Sequence, residues 1–132
     1  MDAARTLATL IAWTRVGIGA SVWVAPRASM RGLGFDPDNP QVMALARLAG
    51  TRDLALGAGA VATLDDPRAQ ATMLRANAVV DALDAAAFGI ALVRRRGIDR
   101  AAVMGTASAA AASVVGMLLA RHFDRAGDSP VI

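Results

Sequence analysis

The segment AAVMGTASAAAASVVGMLLA, residues 101–120, decides the fold class of this chain. It contains no charged residue and no continuous polar face, so a soluble helical bundle would have no suitable surface to turn toward water. Its length matches the ~20 residues that an α-helix needs to cross a hydrocarbon core of ~30 Å. We therefore expect a membrane-spanning helix here. The alternatives are a soluble Ala-rich bundle and a subunit that partner chains bury.

Three further apolar stretches of similar length precede this segment. We expect the four spans at about residues 7–24, 41–64, 69–93 and 101–120. Strands are disfavoured because the stretches are rich in Ala and show no sustained alternation of apolar and polar residues. The predicted fold is therefore all-α, a four-helix transmembrane bundle with short loops that forms a single domain over residues 1–132.

Short polar joints separate these stretches. In DNP, residues 38–40, and in LDDP, residues 64–67, an Asp or Asn stands before a proline, which is typical of a helix start. RRRGIDR, residues 94–100, ends the third stretch with cations in its last turn and Gly97 just beyond it. Residues 25–40 are expected to form a loop, with a turn near residues 29–32.

The composition excludes several classes of function. Apolar residues make up 55% of the chain and charged residues 19%, and the net charge is only +3. The basic residues form no stripe beside aromatic residues, so nucleic acid is not an expected partner. Cysteine is absent, and the lone histidine, His122, lies in an expected polar tail, so we predict no metal site and no cofactor. The expected location is the cell membrane, as a multi-pass protein with the lipid bilayer as its first partner.

The segment RANAVVDALDAAAFGIALVRRR, residues 75–96, is the test of the membrane prediction. A central Asp costs roughly 2.5 to 3.5 kcal/mol on an insertion scale, whereas each large apolar residue returns only about 0.3 to 0.6 kcal/mol. Asp81 and Asp84 therefore cost more than this helix alone can offset. At ~100° per residue, Asn77, Asp81 and Asp84 share one face of the helix. The segment consequently needs opposite charges on neighbouring helices.

Four arginines in the expected spans could supply these charges. Gly50, Asp53 and Gly57 share a face of the second helix with Arg47 at its edge, and Arg52 points elsewhere although its long side chain can swing. An unpaired charge in a membrane is far costlier than a paired one. The interpretation stays open between a structural ion-pair network and a polar cavity for a ligand or protons. The predicted ligand-binding residues are Arg15, Arg47, Arg52, Asp53, Arg75, Asn77, Asp81 and Asp84, and the catalytic candidates among them are Asp81, Asp84 and Asp53.

Small residues recur within the expected helices. Gly17 and Gly19 lie in the first helix, Gly57 and Gly59 in the second, and Gly105, Ala109 and Ser113 in the fourth. Small side chains let the backbones of membrane helices approach closely. We predict that these positions serve helix packing.

The segments TRVGIGASVWVAPRASMRGLGF, residues 14–35, and ARLAGTRDLALGAGA, residues 46–60, carry a family resemblance. They resemble small bacterial four-helix integral membrane proteins of the DoxX-like type and related uncharacterised families. The shared features are an Arg-x-Gly in the first helix, a Pro and a Leu-Gly turn, and an Arg-Asp-x-x-x-Gly run in the second helix. The resemblance implies a helical membrane bundle, and some relatives are linked with redox complexes or quinone-associated oxidation. With no thiol and no internal histidine, a redox role here would use a bound quinone or a partner's cofactor.

Three classes of function follow from these observations. The first is a binding or accessory protein that holds a lipid- or quinone-like molecule, or a partner membrane subunit, against the polar face. The second is a membrane enzyme of the isomerase or cyclase type, with Asp81 or Asp84 as general acid or base and Arg47 or Arg52 orienting an oxyanion. The third is a small proton-coupled transporter, expected as a homo-oligomer because four helices enclose little volume. Whether the chain catalyses a reaction stays open.

Overall fold

The computed structural model describes residues 3–94 and 99–127. These residues form helices and turns without any strand. The all-α prediction is therefore confirmed for the described part of the chain. The helices are α1 (Ala3–Val24), α2 (Pro26–Leu33), α3 (Pro40–Ala62), α4 (Pro67–Val93) and α5 (Asp99–Gly127).

The helices α3 and α4 begin at the polar segments that the sequence predicts as helix starts. The Asn39 side chain accepts hydrogen bonds from the backbone N–H groups of Gln41 at 2.9 Å and Val42 at 3.4 Å. Asp66 accepts in the same way from the two residues after Pro67, at 3.0 and 3.1 Å. Each cap satisfies N–H groups that have no partner inside the helix. The expected end of α4 at Gly97 lies outside the described residues.

The expected loop at residues 25–40 contains a helix that the sequence analysis did not predict. Pro26 opens α2, since its fixed φ suits the first helical position. Gly34 closes α2 with φ 86°, and its N–H bonds to the carbonyls of Arg31 and Met30. Such a left-handed cap favours glycine because it has no Cβ. The Met30 side chain turns inward and is buried.

The last helix is longer than expected. It continues from residue 120 to Gly127, because Phe123 packs into the core and is only 8% exposed. The expectation that His122 lies in a tail was therefore wrong, since it occupies an exposed position on α5. Its ring meets the Phe123 ring edge-on at 5.7 Å between centroids.

Glycine seams join the long helices in pairs. The antiparallel helices α1 and α3 meet at Gly19, where a Cβ would lie 2.6 Å from the Gly50 carbonyl oxygen, and at Gly57, where it would lie 2.8 Å from the Val16 nitrogen. In the second pair, the Ser113 hydroxyl of α5 donates to a backbone carbonyl of α4 at 2.8 Å. Close backbone approach therefore holds α1 against α3 and α4 against α5.

The two helix pairs contact each other at few places along their length. An apolar cluster that includes Leu74 and Phe123 packs the pairs together at the end where α4 begins. A smaller cluster, built around Val22 and Met30, lies under α2 at the opposite end. Between these two clusters, the middle of the bundle contains polar residues and open space.

Large apolar side chains cover the outer surface. Within the described ranges, three helices are long and apolar enough to cross a membrane, namely Ala3–Val24, Pro67–Val93 and Arg100–Ala126. The remaining long helix, α3, is not among them, and Arg47, Arg52 and Asp53 lie within it. More than half exposed are Leu10, Trp13, Leu45, Leu48, Leu83 and Leu118.

Gly19 and Gly17 offer a matched test of the α1–α3 seam. We expect Gly19→Ala to lower the free energy of unfolding by about 1 to 3 kcal/mol, because the new methyl group meets backbone atoms that cannot turn away. We expect Gly17→Ala to be neutral or slightly stabilising, since no atom of the described residues lies within 4 Å of a Cβ there and Ala is the better helix former. Denaturant unfolding in detergent micelles measures both. Equal losses of unfolding free energy in Gly19→Ala and Gly17→Ala would contradict the close packing of α1 against α3 at Gly19.

Candidate functional site

Five charged side chains from three helices meet in the middle of the bundle. Arg15 comes from α1, Arg52 and Asp53 from α3, and Asp81 and Asp84 from α4. At 1.5 Å per residue, Asp81 lies about 21 Å from the start of α4 and about 18 Å from its end. We call these five residues the charge cluster.

Arg15 bridges the two helix pairs. Its Nη2 donates to the Asp81 carboxylate on α4, and its Nη1 lies 3.4 Å from the Asp53 Oδ1 on α3. These are the most buried charges of the cluster, since the Arg15 side chain is 12% exposed and the Asp81 side chain 10%. A buried charge that lost its partner would carry a large desolvation cost. Arg15 and Asp81 are therefore held as a pair.

Arg52 makes the second bridge between the pairs. Its Nη1 and Nη2 donate to the two carboxylate oxygens of Asp84, at 2.8 and 2.7 Å. Such a two-pronged contact is among the strongest hydrogen-bonded ion pairs in proteins and fixes the orientation of both groups. Nη2 also lies 3.3 Å from the Asp53 Oδ1. Asp53 thus contacts both arginines, but only at the longer distances.

The other three predicted site residues lie apart from this cluster. Arg47 is exposed on α3, with its guanidinium 5.9 Å from the centre of the Trp23 ring. Arg75 pairs with Asp124 of α5. Asn77 is buried one turn before Asp81 and donates from Nδ2 to a backbone carbonyl of α4 at 2.8 Å. Of the eight predicted residues, the structure brings five together.

A cavity of about 670 Å³ extends from the charge cluster toward α2, between the two helix pairs. The cluster forms its inner end, and apolar side chains form most of the remaining wall. Phe35 and Phe88 approach each other there with ring centroids 6.3 Å apart. The contribution of residues 26–35 to this wall was not predicted from the sequence, although the spacing of Met30 and Leu33 was the available signal. The apolar wall includes Val22, Met30, Leu33, Phe35, Phe88 and Met104.

The charges of the cluster do not balance. Two guanidinium groups face three carboxylates, which leaves one surplus negative charge when all five are ionised. The Arg52 Nε is buried and has no hydrogen-bond partner among the described residues. The inner end of the cavity is therefore unfavourable for an anionic group.

No protein-family model, curated protein or solved structure matches this chain. The resemblance to DoxX-like proteins stays a prediction. The geometry of the cluster and its cavity therefore carries the functional argument.

Arg15 and Arg5 offer a matched test of the cluster, because both are arginines of α1 that pair with an aspartate. We expect Arg15→Met to cost about 3 to 5 kcal/mol of unfolding free energy, since it leaves buried carboxylates without their main partner. We expect Arg5→Met to cost at most about 1 kcal/mol, because its partner Asp65 is 94% exposed. Unfolding in detergent measures both.

The double variant Arg15→Met/Asp81→Leu is the control for this interpretation. It replaces the buried pair by apolar side chains, which is often neutral or stabilising. We expect it to regain most of the stability that Arg15→Met loses. A double variant less stable than Arg15→Met would show that the loss in Arg15→Met does not come from leaving a buried carboxylate unpaired.

Proposed function

We propose that this chain is a small multi-pass protein of the cell membrane that binds a lipid- or quinone-like molecule between its two helix pairs. The observation that carries the proposal is an apolar cavity of about 670 Å³ with the charge cluster at its inner end. Ligand sites commonly combine apolar walls with a few convergent polar groups, in volumes of about 300 to 1,000 Å³. An amphipathic molecule would place its apolar body toward α2 and its polar head at the cluster.

The outer surface supports the membrane setting. Large apolar side chains on the long helices face outward, where water would make their exposure unfavourable and lipid would not. We include α3 as the fourth span, although it carries Arg47, Arg52 and Asp53. Its Arg52 and Asp53 bind partners on α1 and α4, and paired charges inside a bundle are tolerated in membranes. The pairing therefore supports the proposal of a four-span bundle.

The charge balance narrows the class of ligand. A carboxylate or phosphate head would meet the surplus negative charge of the cluster, and its desolvation would not be compensated. An uncharged head with a hydrogen-bond acceptor, such as a quinone or ester carbonyl, would avoid this repulsion and could accept from Arg52, which lines the cavity. We therefore favour a neutral ligand. An accessory role, in which the chain presents this ligand to a partner membrane subunit, would use the same site.

One observation favours acid–base chemistry as the second candidate function. Asp81 and Asp84 are each held closely by an arginine, whereas the Asp53 contacts are 3.4 and 3.3 Å. Asp53 also lines the cavity. If the chain is an isomerase or cyclase, Asp53 is therefore the best placed of the three carboxylates to exchange a proton with a substrate.

The two tryptophans test the membrane setting. Trp13 lies near the middle of α1 and Trp23 near its end, and both are more than half exposed. In lipid vesicles, we expect bromine near the chain ends to quench Trp13 in the Trp23→Phe variant, and bromine near the glycerol to quench Trp23 in the Trp13→Phe variant. Fluorescence in the two brominated lipids measures the depths. If neither brominated lipid quenched tryptophan fluorescence, insertion of α1 into the bilayer would be contradicted.

Ala109 and Ala111 test ligand binding without changing a charge. Ala109 lines the cavity, whereas Ala111 faces outward on the same helix. We expect a short-chain benzoquinone to raise the unfolding temperature of the native protein and of Ala111→Phe, because a ligand that binds the folded state stabilises it. We expect Ala109→Phe to abolish the rise by filling the cavity.

Two further probes separate the ligand classes in the same assay. Laurate and dodecylamine carry similar apolar bodies but opposite charges. We expect no stabilisation by laurate, whose carboxylate meets the surplus negative charge, and a larger effect of dodecylamine, whose ammonium does not. A larger rise in unfolding temperature with laurate than with the quinone would overturn the charge argument. An equal rise with the quinone in Ala109→Phe and Ala111→Phe would show that the cavity is not the binding site.

A further inference from the structure

A stripe of buried polar side chains runs along α4 toward the charge cluster. Gln70, Asn77, Asp81 and Asp84 follow the spacing i, i+7, i+11 and i+14, which places them on one face of the helix. Gln70 is 0% exposed and Asn77 is 5% exposed. Neutral amides of this kind are rarely buried so fully without a complete set of hydrogen bonds.

Each amide is only half satisfied. The Gln70 Oε1 accepts from the Thr63 hydroxyl at 2.7 Å, and the Asn77 Nδ2 donates to the Met73 carbonyl at 2.8 Å. The remaining atoms, the Gln70 Nε2 and the Asn77 Oδ1, have no hydrogen-bond partner among the described residues. A buried polar atom left dry costs about 1 to 3 kcal/mol. Buried water is the usual partner of such atoms.

The positions of the two amides define a route. Gln70 lies in the first turn of α4, beside the connection at residues 63–66, whose Asp65 and Asp66 are exposed. Along the helix axis, Asn77 lies about 10 Å beyond Gln70, and Asp81 about 6 Å beyond Asn77. Three or four water molecules, spaced at about 2.8 Å, would span the first interval. The route reaches the cluster from the end opposite to α2.

We propose that Gln70 and Asn77 hold a file of buried water that links the connection at residues 63–66 to Asp81. Water and protons would then reach the charge cluster from one end of the bundle, and the apolar ligand would reach it from the other. One proton would neutralise the surplus negative charge of the cluster. The purpose of this route rests on the proposed ligand site, but the existence of the water file does not.

The amide composition of the chain allows a direct test on the native protein. Asn39 and Asn77 are the only asparagines, and Gln41 and Gln70 are the only glutamines. With ¹⁵N in these two residue types alone, NMR saturation transfer from water reports the hydration of each side-chain amide. We expect transfer to Gln70 and Asn77 as well as to the exposed Gln41. Transfer to Gln41 without transfer to Gln70 and Asn77 would show a dry stripe and overturn the proposal.

Cysteine labelling gives a second test, because the chain has no native cysteine. We expect a small water-soluble thiol reagent to label an Asn77→Cys variant and to leave Ala78→Cys unlabelled, since Ala78 lies at the same depth and is 1% exposed. Equal labelling of both, or of neither, would contradict the water file. Neither test contains a ligand, so a failure of quinone binding and a failure of the water route are distinguishable.

Discussion

Arg15 joins the two halves of the bundle at their middle, where apolar packing between them is sparse. Each half is a helix pair closed by small residues, and the halves contact each other sparsely around their middle. Arg15 reaches from its own half to Asp81, and the Arg52–Asp84 pair repeats the bridge beside it. Ion pairs are directional, so these contacts set the height at which α4 lies against α1 and α3. The cavity exists because the halves are held by these bridges at their centre rather than by interdigitated side chains.

Helix periodicity and the cost of buried charge were sufficient to predict much of this arrangement. The spacing of Asp81 and Asp84 placed both carboxylates on one face, and their insertion cost required counter-charges from other helices. The choice among the four arginines could not be predicted. A helical wheel locates Cβ atoms, whereas the long side chain of arginine decides what its guanidinium contacts. Arg52 points away on the wheel yet binds Asp84, and Arg47 lies outside against Trp23.

Two other features depend on tertiary structure that local sequence does not encode. The eight residues of α2 are fewer than the roughly 11 to 18 over which a helical period is normally judged, so the spacing of Met30 and Leu33 was the only local signal. The helix is supported by the burial of Met30 between α1 and α3. The last turns of α5 read as a polar tail because Arg121, His122 and Asp124 surround Phe123. Burial of that one aromatic side chain continues the helix. The cavity likewise follows from the distance between helix pairs, which no single segment determines.

The Arg15–Asp81 pair also has a consequence for how the chain is made in the proposed membrane setting. Its two members are 66 residues apart, and Asp53 follows Arg15 by 38 residues. As the chain leaves the ribosome, α1 is therefore complete long before either carboxylate is synthesised. A lone α1 in lipid would expose an unpaired guanidinium, so its stable residence there depends on helices that arrive later. In that setting, insertion of the chain would be a collective event, completed only when α4 brings Asp81 to Arg15.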